Sequence, residues 1–151
     1  MFKKKYLLLN FAHPFGTETE KQYRILSFQL QIPTDIAGSR NPIELETFVR
    51  EFTLRCINSD PNGEISGLIQ TGKFVVCLPG HSQAAGIILA VLHGLSGHFP
   101  KIIYQVRTGD GFEPVDNPIS LQTTRDTARL NRDFGRAVQV SRETKENLYR
   151  Y

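Results

Sequence analysis

The sequence predicts a three-layer α/β sandwich around a mainly parallel sheet, and three observations lead to this expectation. Two apolar runs, at 6–9 and 73–78, are continuous rather than alternating, as parallel strands covered on both faces usually are. Strand-like and helix-like segments alternate along the chain. The 151 residues are 40% hydrophobic and 22% charged, which is the composition of one globular domain.

Four segments have the residue pattern of strands. They are expected at 6–9, 28–32, 73–78 and 101–106. In the second segment, Phe28, Leu30 and Ile32 alternate with glutamines. This alternation predicts a half-exposed strand at the edge of the sheet.

Helices are expected between these strands and after the last of them. They are predicted at 17–25, at 42–57, from Ser82 to the stretch 94–100, and at 121–133. Asn41 and Pro42 supply a cap and a first-turn proline for the second helix. Ser82 and Ser120 are expected to cap the third and fourth helices.

The order of the strands predicts where a ligand would bind. Right-handed crossovers make 2-1-3-4 the simplest order, in which the first and third strands are neighbours. The loops that follow these two strands, 10–16 and 79–83, would then flank one crevice at the carboxyl edge of the sheet. Ligands of open α/β sheets bind in such a crevice.

Nine residues near this crevice are the candidates for contact with a ligand: Asn10, Phe11, His13, Pro79, Gly80, His81, Ser82, Gln83 and Arg107. The helix start after Gly80 offers free backbone N–H groups to an anion, and a glycine there allows close approach. The Ser82 hydroxyl would either cap its helix or meet a phosphate oxygen. Arg107, just past a predicted strand, is the best single candidate for a phosphate contact.

The first loop leaves two alternatives open. Asn10 would hydrogen-bond a base edge or ribose, or it would form an Asx turn at the strand end. Phe11 and Phe15 would stack on a base, or they would pack in the core. The residue types alone do not separate these possibilities.

No metal and no cofactor is expected. The four histidines, at 13, 81, 93 and 98, have no cysteine or carboxylate at familiar ligand spacing. The chain has no glycine-rich dinucleotide fingerprint and no Walker lysine. A role for His13 or His81 as a general acid stays open.

The basic surplus lies near the end of the chain. The formal net charge is +3, and residues 1–123 are balanced, so the surplus falls after residue 123. Four arginines there repeat at helical spacing: Arg125, Arg129, Arg132 and Arg136. This arginine stripe would be a solvated helix face, a phosphate-facing surface or a contact with a dimer partner. Duplex DNA is not expected as a partner, because its binding needs a broad basic face.

A cytoplasmic location is expected. Cys56 and Cys77 lie in core-like segments and are predicted to be free thiols in a reducing compartment. Asn10 and Pro14 cut the first apolar run short of a signal-peptide core. The longest uncharged apolar stretch, 84–92, is half the length of a membrane span, so no membrane contact is expected.

Three stretches resemble one known family. LLLNFAHPF at 7–15, CLPGHSQAAGIILAVLHGLSGHFPKII at 77–103 and ISLQTTRDTAR at 119–129 look like the CRISPR-associated ancillary proteins of the Csx-fifteen type. The resemblance implies a single Rossmann-like (CARF-related) domain over 1–140, followed by a tail at 141–151. It also implies a cyclic oligoadenylate site lined by six residues: Asn10, Phe11, His13, Pro79, Gly80 and Ser82. His81 departs from the family pattern, which would have a small or apolar residue there.

There are three functional hypotheses, two that follow from the resemblance and one that follows from the arginine stripe. The first is a homodimer that binds cyclic tetra-adenylate and sequesters it, which would damp antiviral signalling. The second is a metal-independent ring nuclease, in which an RNA 2′-hydroxyl attacks its own phosphate. The third is a single-stranded nucleic-acid-binding protein that uses the arginine stripe. A two-fold ligand favours a two-fold receptor, with the helix after Ser82 or the last helix near the interface.

Overall fold

The computed structural model describes residues 6–109 and 111–132. The chain divides into a unit over 1–120 and a second unit that begins at Leu121. The predicted domain end at 140, the tail at 141–151 and Arg136 lie outside the described residues and stay predictions.

Seven strands and six helices are described. In chain order they are β1 (Tyr6–Asn10), α1 (Thr17–Gln22), β2 (Tyr23–Ser27), α2 (Thr34–Ala37), α3 (Pro42–Ile57), α4 (Glu64–Gln70), β3 (Phe74–Cys77), α5 (Ser82–Ser96), β4 (Lys101–Ile102), β5 (Gln105–Thr108), β6 (Gly111–Pro114), β7 (Ile119–Ser120) and α6 (Leu121–Leu130). The second unit contributes α6 alone to this set.

The main sheet is mainly parallel, as predicted. Its order is β2-β1-β3-β4-β7, in which β1 to β4 are parallel and β7 is antiparallel to β4. Its first four members follow the predicted order 2-1-3-4. β1 lies between β2 and β3, where Leu8 faces Ile25 on one neighbour and Val75 on the other. The chain is therefore an α/β protein with a mainly parallel five-stranded sheet.

The two faces of the sheet pack against different partners. Leu7, Leu9 and Val76 point to one face, where they meet buried side chains of α3, α4 and α5. Leu8 and Val75 point to the other face. There they pack with Tyr23 and Ile103 of the sheet itself and with Phe15 and Val115 of the loops. Because successive strand residues alternate between faces, a continuous apolar run serves both cores, which is why β1 and β3 were predictable.

The predicted edge strand at 28–32 is wrong, as is the predicted helix end at 25. The helix stops at Gln22, and 23–27 forms β2 beside β1. In β2, Ile25 packs on one face and Leu26 on the other, so this segment fits a sheet that is covered on both sides. The Phe28 amide donates to the Asn10 carbonyl of β1 at 2.8 Å, but 28–32 is not a strand, and its apolar side chains pack against the helical face.

The predicted strand at 101–106 divides into two elements. Lys101 and Ile102 pair with β3 as β4, and Ile103 extends this ladder by donating to the Val76 carbonyl at 2.9 Å. From Gln105 the chain pairs instead with β6, in a separate two-stranded sheet. The turn includes Gly109 at φ +52°, a backbone conformation that favours glycine.

Several further expectations about helices are settled. The helix predicted at 42–57 is confirmed with the same bounds, and the Asn41 side chain accepts from the Ile43 amide at its start. α2, α4 and the hairpin of β5 and β6 were not predicted. α6 ends at Leu130 rather than 133.

In the described part of the chain, no helix has the length and apolarity that crossing a membrane requires.

Candidate functional site

The carboxyl edge between β1 and β3 is the point where the sheet topology reverses. From β1 the chain continues to β2 on one side, and from β3 it continues to β4 on the other. Asn10 and Cys77 face each other at the ends of these strands, and the Phe11 amide donates to the Cys77 carbonyl at 2.9 Å. The two predicted loops therefore leave this edge side by side, at a topological switch point.

Asn10 organises the first loop. Its side chain is fully buried. Oδ1 accepts from the Ala12 amide at 2.9 Å, and Nδ2 donates to the His13 carbonyl at 3.0 Å. This is the Asx-turn alternative, in which the side chain shapes the backbone of the loop. Within the described structure, both polar atoms of the Asn10 side chain hydrogen-bond to the loop backbone.

The aromatic rings of the first loop pack inward. Phe11 is 3% exposed, and its ring lies 5.3 Å from the ring of Phe28, centroid to centroid. Phe15 is half-buried and packs against the Leu8 face of the sheet. The core-packing alternative therefore describes both rings, and the buried Phe11 is not placed to stack on a base. His13, between them in sequence, is exposed.

The second loop is open at Gly80. Pro79 is half-buried and Gly80 is exposed. Gly80 is not among the glycines with positive φ, and an added Cβ there would meet no atom within 4 Å. Nothing in the described structure covers the backbone at this point. A ligand can approach it closely.

His81, not Ser82, caps α5, so the predicted cap is wrong. The His81 Nδ1 accepts from the Ala84 amide at 3.1 Å, in the position that a serine or asparagine oxygen often takes. Ser82 is the first helical residue, and its exposed hydroxyl donates to Oε1 of Gln83 at 3.0 Å. His81 thus has a structural role at the start of this helix.

The start of α5 keeps free hydrogen-bond donors. Among the described residues, the backbone amides of Ser82 and Gln83 donate to no other group. These donors and the helix dipole make the position favourable for a negative charge. The segments 10–16 and 78–83 contain no aspartate or glutamate that would repel one.

A residue that the sequence did not single out connects the hairpin to this edge. Nε2 of Gln105 donates to the His13 carbonyl at 3.1 Å and lies 3.4 Å from the Pro14 carbonyl. Arg107 follows two residues later on β5 and is exposed. The hairpin could have been predicted from Gly109 and Gly111, which are turn residues between two short strand-like runs.

One cavity of the described structure contains none of the predicted site residues. An open cavity of about 290 Å³ is lined by Gln22, Glu113, Pro114, Val115 and Asp116. Its two carboxylates disfavour an anion, and none of the predicted site residues lines it. In the part of the chain that the structure describes, no three metal-ligating side chains form a group.

The arginine stripe belongs to the second unit. Arg125 forms an ion pair with Asp126 at 2.8 Å, and Arg129 and Arg132 are exposed. Neighbouring charges on an exposed helix are usually solvated. Its predicted phosphate and dimer roles stay predictions.

Comparison of the chain with protein-family models, curated proteins and solved structures found no significant match in any of the three.

Proposed function

We propose that this protein binds the cyclic oligoadenylate messenger of type III CRISPR defence, with cyclic tetra-adenylate as the ligand, and sequesters it as a homodimer. The observation that carries the proposal is the open start of α5 at the β1–β3 switch point, with free amides at Ser82 and Gln83 and no carboxylate in either loop. The resemblance of 7–15 and 77–103 to the Csx-fifteen type supports the same ligand class.

The loop chemistry suits a phosphodiester. A phosphate oxygen would accept from the two free amides, and the exposed Ser82 hydroxyl would add a third donor by exchanging its bond to Oε1 of Gln83 for one to the phosphate. Gly80 leaves room for the ribose-phosphate chain beside the backbone. Asn10 would act indirectly, by holding the His13 loop in shape.

A finer fold assignment goes with this function. The order β2-β1-β3-β4 and the site at its switch point support a three-layer, Rossmann-like fold related to CARF domains. A messenger made inside the cell would also require a cytoplasmic receptor. Both statements belong to the proposal.

The dimer follows from the symmetry of the ligand. A ring of four adenylates can present matching phosphates to matching loops of two protomers related by a two-fold axis. Light scattering of the full chain, with and without cyclic tetra-adenylate, should give the mass of a dimer. A monomer under both conditions would contradict this part of the proposal.

Ring cleavage is the second candidate, and the exposed His13 and Arg107 favour it. In this reaction a 2′-hydroxyl attacks the adjacent phosphorus and the 5′-oxygen leaves. The products are a 2′,3′-cyclic phosphate and a 5′-hydroxyl. A histidine could transfer a proton, and an arginine could stabilise the developing charge.

One experiment separates these functions. Labelled cyclic tetra-adenylate is incubated with an excess of the protein. Electrophoresis then separates the protein–ligand complex, the free ring and any linear product. A stable complex with an intact ring supports sequestration, and a linear product supports cleavage. If neither forms, while labelled single-stranded RNA is bound with a steep salt dependence, the nucleic-acid-binding hypothesis takes their place.

A further inference from the structure

The hairpin of β5 and β6 has two distinct faces. Residues that pair directly across antiparallel strands point to the same face. Gln105 pairs with Pro114 and Arg107 pairs with Phe112, so these four share one face, here called the Arg107 face. Val106 and Glu113 pair on the opposite face.

The Arg107 face places a cation beside an aromatic ring. Arg107 and Phe112 are direct cross-strand partners, which puts their Cβ atoms roughly 4.5–5.5 Å apart. Phe112 is 59% exposed, and Arg107 is exposed too. Among the described residues, Arg107 forms no ion pair and no hydrogen bond through its side chain. The guanidinium and the ring are both open to a ligand.

The same face is attached to the candidate site. Gln105, on the Arg107 face, donates to the carbonyls of His13 and Pro14 in the first loop. Arg107 lies two residues further along β5, about 7 Å beyond Gln105 at the usual rise per strand residue. The hairpin also continues from β4, which runs parallel to β3, so it starts at the carboxyl edge of the sheet.

We propose that the Arg107 face is a nucleotide platform, on which the Phe112 ring stacks with an adenine base while the Arg107 guanidinium binds the adjoining phosphate. This proposal rests on the function proposed above, because it assigns the base contact for the same ligand. A flat purine suits an exposed phenyl ring, and an anionic phosphodiester suits an arginine that has no carboxylate partner among the described residues. Phe112 takes the stacking role that the buried Phe11 cannot fill.

The test compares variants of the two faces of the hairpin. The full-length protein and its Phe112→Ala, Phe112→Tyr, Arg107→Ala and Val106→Ala variants are titrated with cyclic tetra-adenylate and, separately, with linear tetra-adenylate. Phe112→Ala should weaken binding by roughly 10- to 100-fold. Phe112→Tyr keeps the aromatic ring, so its affinity should stay close to that of the unmodified protein. Arg107→Ala should weaken binding. It should also make the slope of log affinity against log salt concentration shallower by about one, the value of one phosphate contact.

Val106→Ala is the matched control. It removes a 38% exposed side chain from the opposite face of the same hairpin, so it should bind as the unmodified protein does. Circular dichroism of each variant checks that the fold is kept. A loss in Val106→Ala equal to that in Phe112→Ala would show that any hairpin change disturbs binding, which would overturn the platform.

The outcomes separate this proposal from the function on which it rests. If Phe112→Ala and Arg107→Ala bind the ring normally, the platform is wrong and ring binding stands. If the protein binds only the linear ligand, with losses in both variants, the platform stands and the ring is the wrong ligand. If it binds neither adenylate, both proposals fail.

Discussion

Nδ2 of Asn10 donates to the carbonyl oxygen of His13 at 3.0 Å, across the first turn of the loop that leaves β1. The same carbonyl accepts from Nε2 of Gln105 at 3.1 Å. The His13 carbonyl thus joins the end of β1 to the start of the hairpin of β5 and β6. The position of the first loop depends on these contacts.

Asn10→Ala should destabilise the protein. The change removes both side-chain hydrogen bonds of a fully buried residue and leaves the Ala12 amide without its acceptor. We expect a loss of about 1–3 kcal/mol in the free energy of unfolding, measured by urea denaturation. Ser27→Ala, at the exposed β2 position that pairs with Asn10, is the control and should change stability by less than about 0.5 kcal/mol. Equal stability of the two variants would contradict the role given to Asn10.

His81→Ala should weaken the start of α5, and His81→Asn should restore it. The His81 Nδ1 accepts from the Ala84 amide, and an asparagine oxygen can take that place. The alanine variant should lose about 0.5–2 kcal/mol of stability, while the asparagine variant should match the unmodified protein. Ser82→Ala, which leaves this cap intact, should have little effect on thermal unfolding. A larger loss of stability in Ser82→Ala than in His81→Ala would show that Ser82, not His81, is the residue that caps α5.

Cys77 should react slowly with thiol reagents, and it should lower the stability of the protein at alkaline pH. Burial raises the pKa of the Cys77 thiol to about 11, from an ordinary value of 9.0. At pH 8 only about one molecule in a thousand would carry the Cys77 thiolate. Burial raises the pKa of the Cys56 thiol as well, but Cys56 is only half-buried, so alkylation followed by mass spectrometry should find Cys56 modified first.

The same shift predicts the sign of the pH effect. Between pH 9 and about 11 the unfolded chain loses the Cys77 proton while the folded protein keeps it, so the free energy of unfolding falls as pH rises. Cys77→Ala should show a shallower fall over this range. Rapid alkylation of Cys77 at pH 8, with the fold intact, would show that the thiol is not shielded by burial.

Gly80→Val should reduce ligand binding without unfolding the protein. Gly80 does not have a positive φ, and an added Cβ meets no atom within 4 Å, so the backbone accepts a side chain. A branched side chain would obstruct the approach of a phosphate to the start of α5. The expected loss for cyclic tetra-adenylate is roughly 30- to 1,000-fold, or about 2–4 kcal/mol, measured by isothermal titration.

Arg132→Ala is the comparison for Gly80→Val. Arg132 is exposed in the second unit, and its loss should cost little binding. A folded Gly80→Val that binds normally, together with an Arg132→Ala that does not bind, would move the site to the arginine stripe.

The sequence could not separate neighbouring segments with similar strand propensity. Both 23–27 and 28–32 contain enough β-branched and aromatic residues for a strand. β2 forms at 23–27 because Ile25 and Leu26 can fill opposite faces beside β1. That choice depends on contacts with residues far away in the chain, which a local pattern does not contain.

The sequence by itself determined β1, β3, α3 and most of α5, along with the strand order and the position of the two loops at its switch point. Their signals are local: continuous apolar runs for strands buried on both faces, and helical spacing of apolar residues. Only the tertiary structure decided how the polar and aromatic side chains at that edge are used. The sequence left two roles open for Asn10 and expected Ser82 rather than His81 to cap α5. Which hydrogen bonds form depends on where the folded backbone places its amides and carbonyls. Phe112 became a candidate only when the hairpin paired it with Arg107, because cross-strand neighbours are set by register and not by sequence distance.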